Sequence, residues 1–427
     1  MAVLRAAVEA IVDEGEPLTA AAAYDRSCRA ALADTDIGAV GLEVETHLVD
    51  LGAVEAAVPW NRVEPALELI CAASEKSPVT VEPGGQIELS GSPAGDILAA
   101  VTDMRRDVTS ARLALAPLGL GLAHVGADPL RPPRRVNPRP RYRAMEQHFA
   151  ATGKAEAGVV MMNSTAALQV NLQAGPETGW SERIARAHRL GPTLLALSAS
   201  SPWLSGRDTG WRSARQRAWA GLDPRACGPL PGYLTGAGVA DPAAAWAHYA
   251  LRAPVVFVRT RSDDVAAVGR SVTFEQWATG AIRLGGRLPT AADLDIHLTT
   301  LFPPVRLRGY LELRYLDMTP PRWWPAIAAV ITTLMDDPVA ADLASEATEP
   351  AALLWRQAAR AGLGDPILAR CARRCLEIAD GRVPAELATA VSDLAELVDA
   401  SRCPGDLLAE RISEVGPLAA FEELAHA

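Results

Sequence analysis

The amino-acid sequence predicts an α+β fold in which strands with one polar and one apolar side are combined with amphipathic helices. Four short segments alternate polar and apolar residues as strands do, helical periodicity occurs between these segments, and the pattern is helical from about residue 340 to the end. With 427 residues and 49% hydrophobic content, the chain can bury a large core. No repeat or linker divides it. We therefore expect a single domain over residues 1–427, with residues 340–427 as a helical layer of that domain.

The four strand segments each place polar side chains on one face and apolar side chains on the other, because positions i and i+2 of a strand share a face. The polar rows are Glu43 with Glu45, Gln86 with Glu88, Gln169 with Asn171, and Glu312 with Arg314. The apolar rows are Leu42, Val44 and Thr46; Ile87 and Leu89; Leu168, Val170 and Leu172; and Leu311, Leu313 and Tyr315. For any single segment, a solvated face of an antiparallel sheet is the alternative explanation.

Glutamates are concentrated in or beside these segments, namely Glu43, Glu45, Glu82, Glu88 and Glu312. Glutamate is depleted in strands, and two like charges ~4 Å apart repel by roughly 4 kcal/mol at an effective dielectric near 20. A surface that gathers five of them needs a compensating charge. Hard divalent cations supply it through oxygen ligands, and Mg²⁺ is usually bound by few carboxylates together with the phosphates of a nucleotide. The pattern therefore favours phosphoryl transfer.

The segments between the strands predict one long helix and two arginine-rich stretches. Ile97, Val101, Met104, Val108, Ala111 and Leu115 recur at helical spacing. The stretch from Arg131 to Arg143 is broken by prolines and cannot be regular helix before Tyr142. We expect its early arginines, Arg131, Arg134 and Arg135, in solvent, and Arg141 to be the better candidate for a phosphate contact.

A second arginine-rich stretch, residues 201–228, interleaves its arginines with Trp203, Trp211 and Trp219. Such a pattern also fits the two faces of one amphipathic helix. The flanking turns favour the wall of a pocket.

Composition excludes several classes of protein. The formal charge of −10 argues against a nucleic-acid partner, which needs a basic surface. Lys154 is followed by Ala155, so the chain has no P-loop, and no Gly-x-Gly-x-x-Gly lies between a strand and a helix. The longest apolar stretch, residues 326–335, is about half of the ~20 residues that span a bilayer, and acidic residues come too early in residues 1–16 for a signal peptide. We expect a soluble cytoplasmic protein with no membrane partner, in which metal and arginine hold any nucleotide.

Six sequence blocks occur in the order found in glutamate-cysteine ligases. They are GLEVETH, VEPGGQIELSGSP, RYRAMEQHF, MMNSTAALQVNL, SPWLSG followed by WRSARQRAW and DPRACG, and GYLELRYLDMTPP. Over residues 38–325 the chain resembles the plant-type and bacterial branch of that family, and most closely its actinobacterial members of ergothioneine biosynthesis.

The resemblance implies a glutamine-synthetase-like catalytic fold, a curved antiparallel sheet with helices on its convex side and two or three Mg²⁺ ions, ATP and glutamate on its concave face. Mn²⁺ is an expected substitute for Mg²⁺. The family's metal ligands correspond to Glu43, Glu45, Glu82, Glu88, Glu312 and Gln169. Asn171 and Gln86 would approach substrate, Arg212 and Arg225 would bind the glutamate α-carboxylate, and Thr165 or Tyr315 would line the pocket for cysteine. Arg314 and Arg141 would contact ATP, with Arg314 and Glu312 as the catalytic pair.

The implied reaction is the ATP-dependent ligation of L-glutamate to L-cysteine through a γ-glutamyl phosphate. Catalysis of such a transfer depends on positioning and electrostatic stabilisation rather than on a protein nucleophile. Two alternatives stay open at this point. One is a carboxylate-amine ligase of the same fold with another amine acceptor, and the other is a non-catalytic, metal-binding relative. For Arg314, neutralisation of the glutamate cluster is the structural alternative to a role at the phosphate.

Overall fold

The computed structural model describes residues 15–233, 238–260 and 264–427. The N-terminal stretch considered above as a signal peptide lies almost entirely outside these residues. The strands are β1 (Val40–Asp50), β2 (Val79–Val81), β3 (Ile87–Ser90), β4 (Leu120–Ala123), β5 (Ala167–Gln173), β6 (Trp203–Leu204), β7 (Arg207–Asp208), β8 (Phe257–Arg259), β9 (Val265–Ala267), β10 (Val305–Leu307) and β11 (Tyr310–Asp317).

The α-helices up to residue 300 are α1 (Ala20–Ala31), α2 (Trp60–Ala73), α3 (Ile97–Leu115), α4 (Pro140–Ala151), α5 (Ala155–Ser164), α6 (Trp180–Ser198), α7 (Ala214–Ala220), α8 (Pro224–Cys227), α9 (Pro242–Arg252), α10 (Phe274–Ala278) and α11 (Ala291–Leu298). The later ones are α12 (Trp324–Asp336), α13 (Pro338–Thr348), α14 (Trp355–Ala361), α15 (Pro366–Ala379), α16 (Ala385–Asp399) and α17 (Pro404–His426). Short 3₁₀ turns lie at Ala116–Leu118, Glu177–Gly179, Glu349–Ala351 and Gly362–Gly364.

The main sheet is antiparallel, with its strands in the order β10, β11, β5, β1, β3 and β2, and with β4 paired to β1 off this path. β1 is central: its first half pairs with β5 on one side and with β3, while its last four residues pair with β4. Two small hairpins, β6–β7 and β8–β9, stand apart from this sheet. The antiparallel sheet with many helices confirms the predicted α+β class.

The apolar rows of the four predicted strands form one buried face of the sheet. Each of their side chains, from Leu42 on β1 to Tyr315 on β11, is at most 1% exposed. Helices α3, α6 and α12 pack against these strands within one large hydrophobic cluster. The residues of α12 from Trp324 to Met335 are all buried, which explains the apolar stretch noted in the sequence. Within the described residues, no helix has both the length and the apolar character needed to cross a membrane.

The long helix predicted after the second glutamate strand is confirmed as α3. Its six periodic positions are all buried, and the side chain of Asp96 caps its N-terminus by accepting a hydrogen bond from Ala99 N. Helix α4 begins at Pro140, two residues before the predicted onset at Tyr142. Proline is compatible with the first turn of a helix because the missing N–H has no partner there.

The helices after residue 337 contact the rest of the molecule in two places. Residues of α13 to α16 belong to the same hydrophobic cluster as the sheet. The last helix, α17, instead covers β4 and the end of β1 through Leu408, Ile412 and Phe421. The single domain with a helical C-terminal layer stays a prediction, and the cluster shared by sheet and helices supports it.

Candidate active site

A cavity of about 710 Å³ lies over the polar face of the sheet. Its floor is formed by β1, β3, β5 and β11, and its lining includes most of the polar side chains predicted to share this face: Glu43, Glu45, Glu82, Glu88, Gln169, Asn171 and Arg314. Arg141 and Thr165 also line it. The structure therefore brings together nine of the predicted site residues in one place.

The register of the strands sets which of these side chains are neighbours. Glu45 is directly opposite Glu88, and Glu43 is opposite Gln169. Asn171 is opposite Glu312. Because facing side chains in an antiparallel pair lie about 5 Å apart at Cβ, alternation within each strand becomes a continuous polar surface across four strands.

Amides on β5 hold the two carboxylates of β1 in place. Asn171 Nδ2 donates to Glu43 Oε1 at 2.9 Å, and Gln169 Nε2 donates to Glu45 Oε1 at 3.1 Å. The backbone N–H of Ala167 donates to Glu45 Oε2 at 2.7 Å. The side-chain oxygen of the same glutamine, Gln169 Oε1, accepts a hydrogen bond from Arg314 Nη1 at 2.7 Å. Gln169 thus joins the carboxylates to the cationic part of the cavity.

Three of the carboxyl groups have too little positive charge near them to offset their burial and the neighbouring carboxylates. Burial, together with the charges of Glu312 and Glu88, raises the pKa of Glu43 to about 7. Burial and Glu88 likewise raise the pKa of Glu45 to about 7. The pKa of Glu82 lies well above its ordinary value because the side chain is buried and faces Glu88 and Glu45. Proximity of like charges in a desolvated place is the physical cause, as the sequence suggested.

The turn between β2 and β3 places Glu82 and requires two glycines. A Cβ on Gly84 would come within 2.2 Å of the carbonyl oxygen of Asn163, and Gly85 has a φ of +90°. Gln86 follows the turn, is 2% exposed, and donates from Nε2 to the carbonyl oxygen of Thr165 at 2.9 Å. Its side chain lies beside His47 and Asn163 behind the turn instead of lining the cavity. Gln86 therefore supports Thr165 from behind, and its predicted contact with substrate stays a prediction.

Glu312 is surrounded by arginines and its side chain is fully buried. Arg306 forms two hydrogen bonds to it, from Nε to Oε2 and from Nη2 to Oε1, the latter at 2.8 Å. Arg314 Nη1 lies 3.2 Å from Oε2 and Arg308 Nη1 lies 3.7 Å from Oε1. Burial alone would raise the pKa of Glu312, but Arg314 and Arg306 hold it at about 2. Glu312 thus stands here as the partner of arginines and does not line the cavity, and its assignment to the metal ligands stays a prediction.

Arg314 occupies a central position in the cavity. Besides Gln169 and Glu312 it approaches the ring of Phe302, with Cζ 5.8 Å from the centroid. Burial would lower the pKa of Arg314, but Glu312, Glu43 and Glu45 raise it above its ordinary value, so it stays charged. Its Nε has no hydrogen-bond partner among the described residues. Arg314 therefore neutralises carboxylates in this structure, and its role at the phosphate stays a prediction.

The remaining walls include residues that the sequence did not single out. Arg306, Arg308, Arg215, Tyr142 and Phe302 all line the cavity. Arg306 is opposite Glu312 across the β10–β11 pair. The feature of the sequence that could have identified it is an arginine two residues before the turn of a hairpin. Trp219 lines the cavity as expected and packs edge-to-face on Phe302. Arg141 reaches the carbonyl oxygen of Thr299 and the face of Phe257.

Several predicted contacts are absent because the side chains have other partners. Arg212 forms an ion pair with Asp406 on α17 and does not line the cavity. Arg225 is bound to Asp223 through two hydrogen bonds and to Ser271 through a third. In these placements neither arginine lines the cavity, and their contact with a glutamate α-carboxylate stays a prediction.

Three further placements differ from the sequence expectation. Arg131 is 8% exposed and paired with Asp128 instead of lying in solvent. Trp203 and Trp211 pack in hydrophobic clusters away from the cavity.

Substitution of Arg225 by alanine tests whether this arginine contacts glutamate. We expect the Michaelis constant for glutamate to stay within twofold of the parent value, because Arg225 does not line the cavity and is held by Asp223 and Ser271. The free energy of unfolding should change by at most about 1 kcal/mol, as for other exposed ion pairs. Steady-state kinetics and urea unfolding measure both quantities, with Arg283→Gln, an exposed arginine outside the cavity, as the control. A tenfold rise in the Michaelis constant for glutamate would support the predicted contact of Arg225 with the glutamate α-carboxylate.

The donor set of the cavity is suited to a hard cation. In their present positions, no group of three or more histidine, cysteine, aspartate or glutamate side chains among residues 15–233, 238–260 and 264–427 encloses a site for one metal ion. The donors nevertheless fit Mg²⁺ in kind, since Glu43, Glu45, Glu82 and Glu88 offer oxygens alone. Burial and neighbouring carboxylates raise the pKa values of Glu43, Glu45 and Glu82, so a bound cation would stabilise their charged forms.

Comparisons with known proteins show the family to which the chain belongs. The chain belongs to glutamate-cysteine ligase family 2 (GCS2), whose family profile matches residues 39–418. It is 48% identical to the glutamate–cysteine ligase EgtA of Mycobacterium tuberculosis over 97% of this chain and 95% of that protein. It is 50% identical to the EgtA of Mycolicibacterium smegmatis over 92% of each chain. Among solved structures, a glutamate–cysteine ligase of Francisella tularensis in complex with AMP shares the fold, with a TM-score of 0.55 and 14% identity over 92% of this chain and 88% of that one.

Proposed function

We propose that this protein is an ATP-dependent ligase that joins the γ-carboxylate of L-glutamate to the amine of L-cysteine. The products are γ-glutamylcysteine, ADP and phosphate, and the proposed use of the dipeptide is the biosynthesis of ergothioneine or another small thiol. The observation that carries the proposal is the convergence of Glu43, Glu45, Glu82 and Glu88 with Arg314 in one cavity. The names of the mycobacterial relatives support the substrates.

Mg²⁺ is the proposed metal, with Glu43, Glu45, Glu82 and Glu88 as its carboxylate ligands and Gln169 beside them. When bound, the metal neutralises phosphate charge and fixes the orientation of the triphosphate. The amides of Asn171 and Gln169 keep the β1 carboxylates pointing into the cavity. Positions so fixed before substrate enters reduce the reorganisation needed during transfer.

The chain's own part in the reaction is to bind, orient and neutralise. The γ-carboxylate of glutamate attacks the γ-phosphorus of ATP, ADP leaves, and the cysteine amine then displaces phosphate from the γ-glutamyl phosphate. Arg314 is placed to stabilise the charge of the transferred phosphoryl group, because it is charged, lines the cavity and has an unpaired Nε. Arg141 is a proposed contact for the nucleotide, and Thr165 for the acceptor amino acid.

The decisive experiment measures ADP release from MgATP and L-glutamate with L-cysteine, ammonia and a panel of amino acids supplied separately as the amine. Cysteine-dependent ADP release with γ-glutamylcysteine as the product would support the full proposal. Turnover with a different amine would keep the ligase and replace the acceptor. Absence of turnover with every amine would contradict catalysis and favour a metal-binding relative.

Metal removal should change the stability of the protein in a charge-dependent way. We expect chelation to lower the melting temperature of the parent protein and MgATP to raise it, because a ligand bound only to the folded state stabilises that state. In metal-free buffer, Glu82→Gln should melt above the parent, since a carboxyl group whose pKa is raised on folding destabilises the folded state near neutral pH. In MgATP the order should reverse, because the variant lacks one proposed ligand.

Differential scanning calorimetry in both buffers measures these melting temperatures. Glu64→Gln, at an exposed position on α2, is the matched control and should leave both values unchanged. A parent protein whose melting temperature is the same in chelator and in MgATP would indicate a metal-free, solvated carboxylate surface.

A further inference from the structure

Arg308 is a half-exposed arginine at one end of the cavity. It follows β10 and precedes Gly309, whose φ of +81° makes the turn into β11. Its side chain is 52% exposed and lines the cavity together with Thr35, Gln173 and Tyr310. The guanidinium is thus attached to a tight hairpin turn while its charged end meets solvent at the cavity.

This end of the cavity carries more positive than negative charge. Glu312 already has two hydrogen bonds from Arg306 and a contact with Arg314 at 3.2 Å. Arg308 is the outermost of the three arginines, at 3.7 Å, with no hydrogen bond to Glu312. Three guanidinium groups therefore face one fully buried carboxylate. The next carboxylate along the floor, Glu43, is hydrogen-bonded to Asn171.

We propose that Arg308 binds an oxyanion of a substrate, a carboxylate or a phosphate, at this end of the cavity. The inference rests on the proposed ligase function and adds a specificity-determining residue to it. The planar guanidinium matches either oxyanion through two parallel hydrogen bonds. The contact of Arg308 with Glu312 is long, and the Arg308 side chain is half-exposed. Little interaction free energy is therefore lost when Arg308 turns toward a ligand.

The same geometry separates Arg308 from its neighbours in function. Arg306 is 8% exposed and has both of its charged hydrogen bonds directed to Glu312. Arg314 is fixed by Gln169 and Glu312. Arg308 alone among these three has a side chain more than half exposed. Its replacement should therefore leave the fold and the buried network intact.

The test is a kinetic comparison of Arg308→Gln and Arg308→Lys with the parent enzyme, varying glutamate, cysteine and MgATP one at a time. We expect Arg308→Gln to raise the KM of one substrate at least tenfold while kcat stays within threefold. Arg308→Lys should recover part of the loss, since lysine keeps the charge without the planar fork. A changed KM for an amino acid identifies a carboxylate, and a changed KM for MgATP identifies a phosphate. Arg283→Gln, exposed and outside the cavity, is the control.

Two results would overturn the inference: three KM values within twofold of the parent in Arg308→Gln, or a fall in kcat with all KM values unchanged. A parent protein that forms no product would contradict the proposed function instead. In that case, calorimetric binding of glutamate, cysteine and MgATP to the parent and to Arg308→Gln tests the inference by itself. Equal affinities in both proteins for every ligand that binds, or binding of none of the three to the parent, would then overturn it.

Discussion

Substitution of Arg314 by alanine is expected to lower turnover by about 10³-fold, the lower range for arginines that stabilise a phosphoryl group in transfer. Arg314 is the cation at the centre of the cavity: it contacts Gln169, which also binds Glu45, and it lies 3.2 Å from Glu312. Its charge is retained because Glu312, Glu43 and Glu45 outweigh the effect of burial on its pKa. Measurement of kcat with saturating glutamate, cysteine and MgATP gives the size of the effect.

The control for this prediction separates chemistry from folding. Arg314→Lys preserves a positive charge beside Glu312, so we expect its fold to be retained while turnover still falls, because lysine cannot bind in the same planar geometry. Circular dichroism and urea unfolding establish the folded state of both variants. If Arg314→Ala is folded and keeps more than a third of the parent kcat, Arg314 serves only to neutralise the carboxylates.

Substitution of Arg306 by alanine is expected to lower the free energy of unfolding by about 3 kcal/mol, the cost of removing one partner from a buried ion pair. Glu312 is fully buried and accepts two hydrogen bonds from Arg306. Without them, a desolvated carboxylate would depend on Arg314 and on the distant Arg308 alone. Urea unfolding in buffer without metal or nucleotide measures the change independently of activity.

A double variant provides the matched control for Arg306. Replacement of Arg306 and Glu312 together by leucine removes both charges, and buried pairs exchanged for apolar residues are often neutral in stability. We expect this double variant to recover most of the stability lost in Arg306→Ala. A loss below about 1 kcal/mol in the single variant would mean that Arg314 alone satisfies Glu312.

Much of the fold and the floor of the candidate site could be predicted from the sequence. The alternation of Leu42, Val44 and Thr46 with Glu43 and Glu45 is a local property of an extended chain, and it assigned both faces of β1 correctly. The periodicity of α3 is local in the same sense, and its predicted buried positions are all confirmed. Local patterns predict these elements correctly because one side of each strand or helix is buried along its whole length, so residues on that side are apolar.

The partners of the arginines could not be predicted, because an arginine reaches far and accepts any nearby carboxylate. Arg212 pairs with Asp406, 194 positions away, and Arg225 with its near neighbour Asp223. The resemblance to glutamate-cysteine ligases assigns both arginines to substrate binding.

The sequence alone predicts that polar side chains on four strands, glutamates and amides among them, share one face of a sheet, since strand alternation has a fixed period. It also determined that these carboxylates need a compensating charge. Which cation meets which carboxylate depends on tertiary packing. The antiparallel register of β10 and β11 places Arg306 against Glu312, whereas Glu43, Glu45 and Glu82 keep raised pKa values. Electrostatic pairing depends on distances between segments far apart in the chain, and those distances are set by strand register and helix packing rather than by any local pattern.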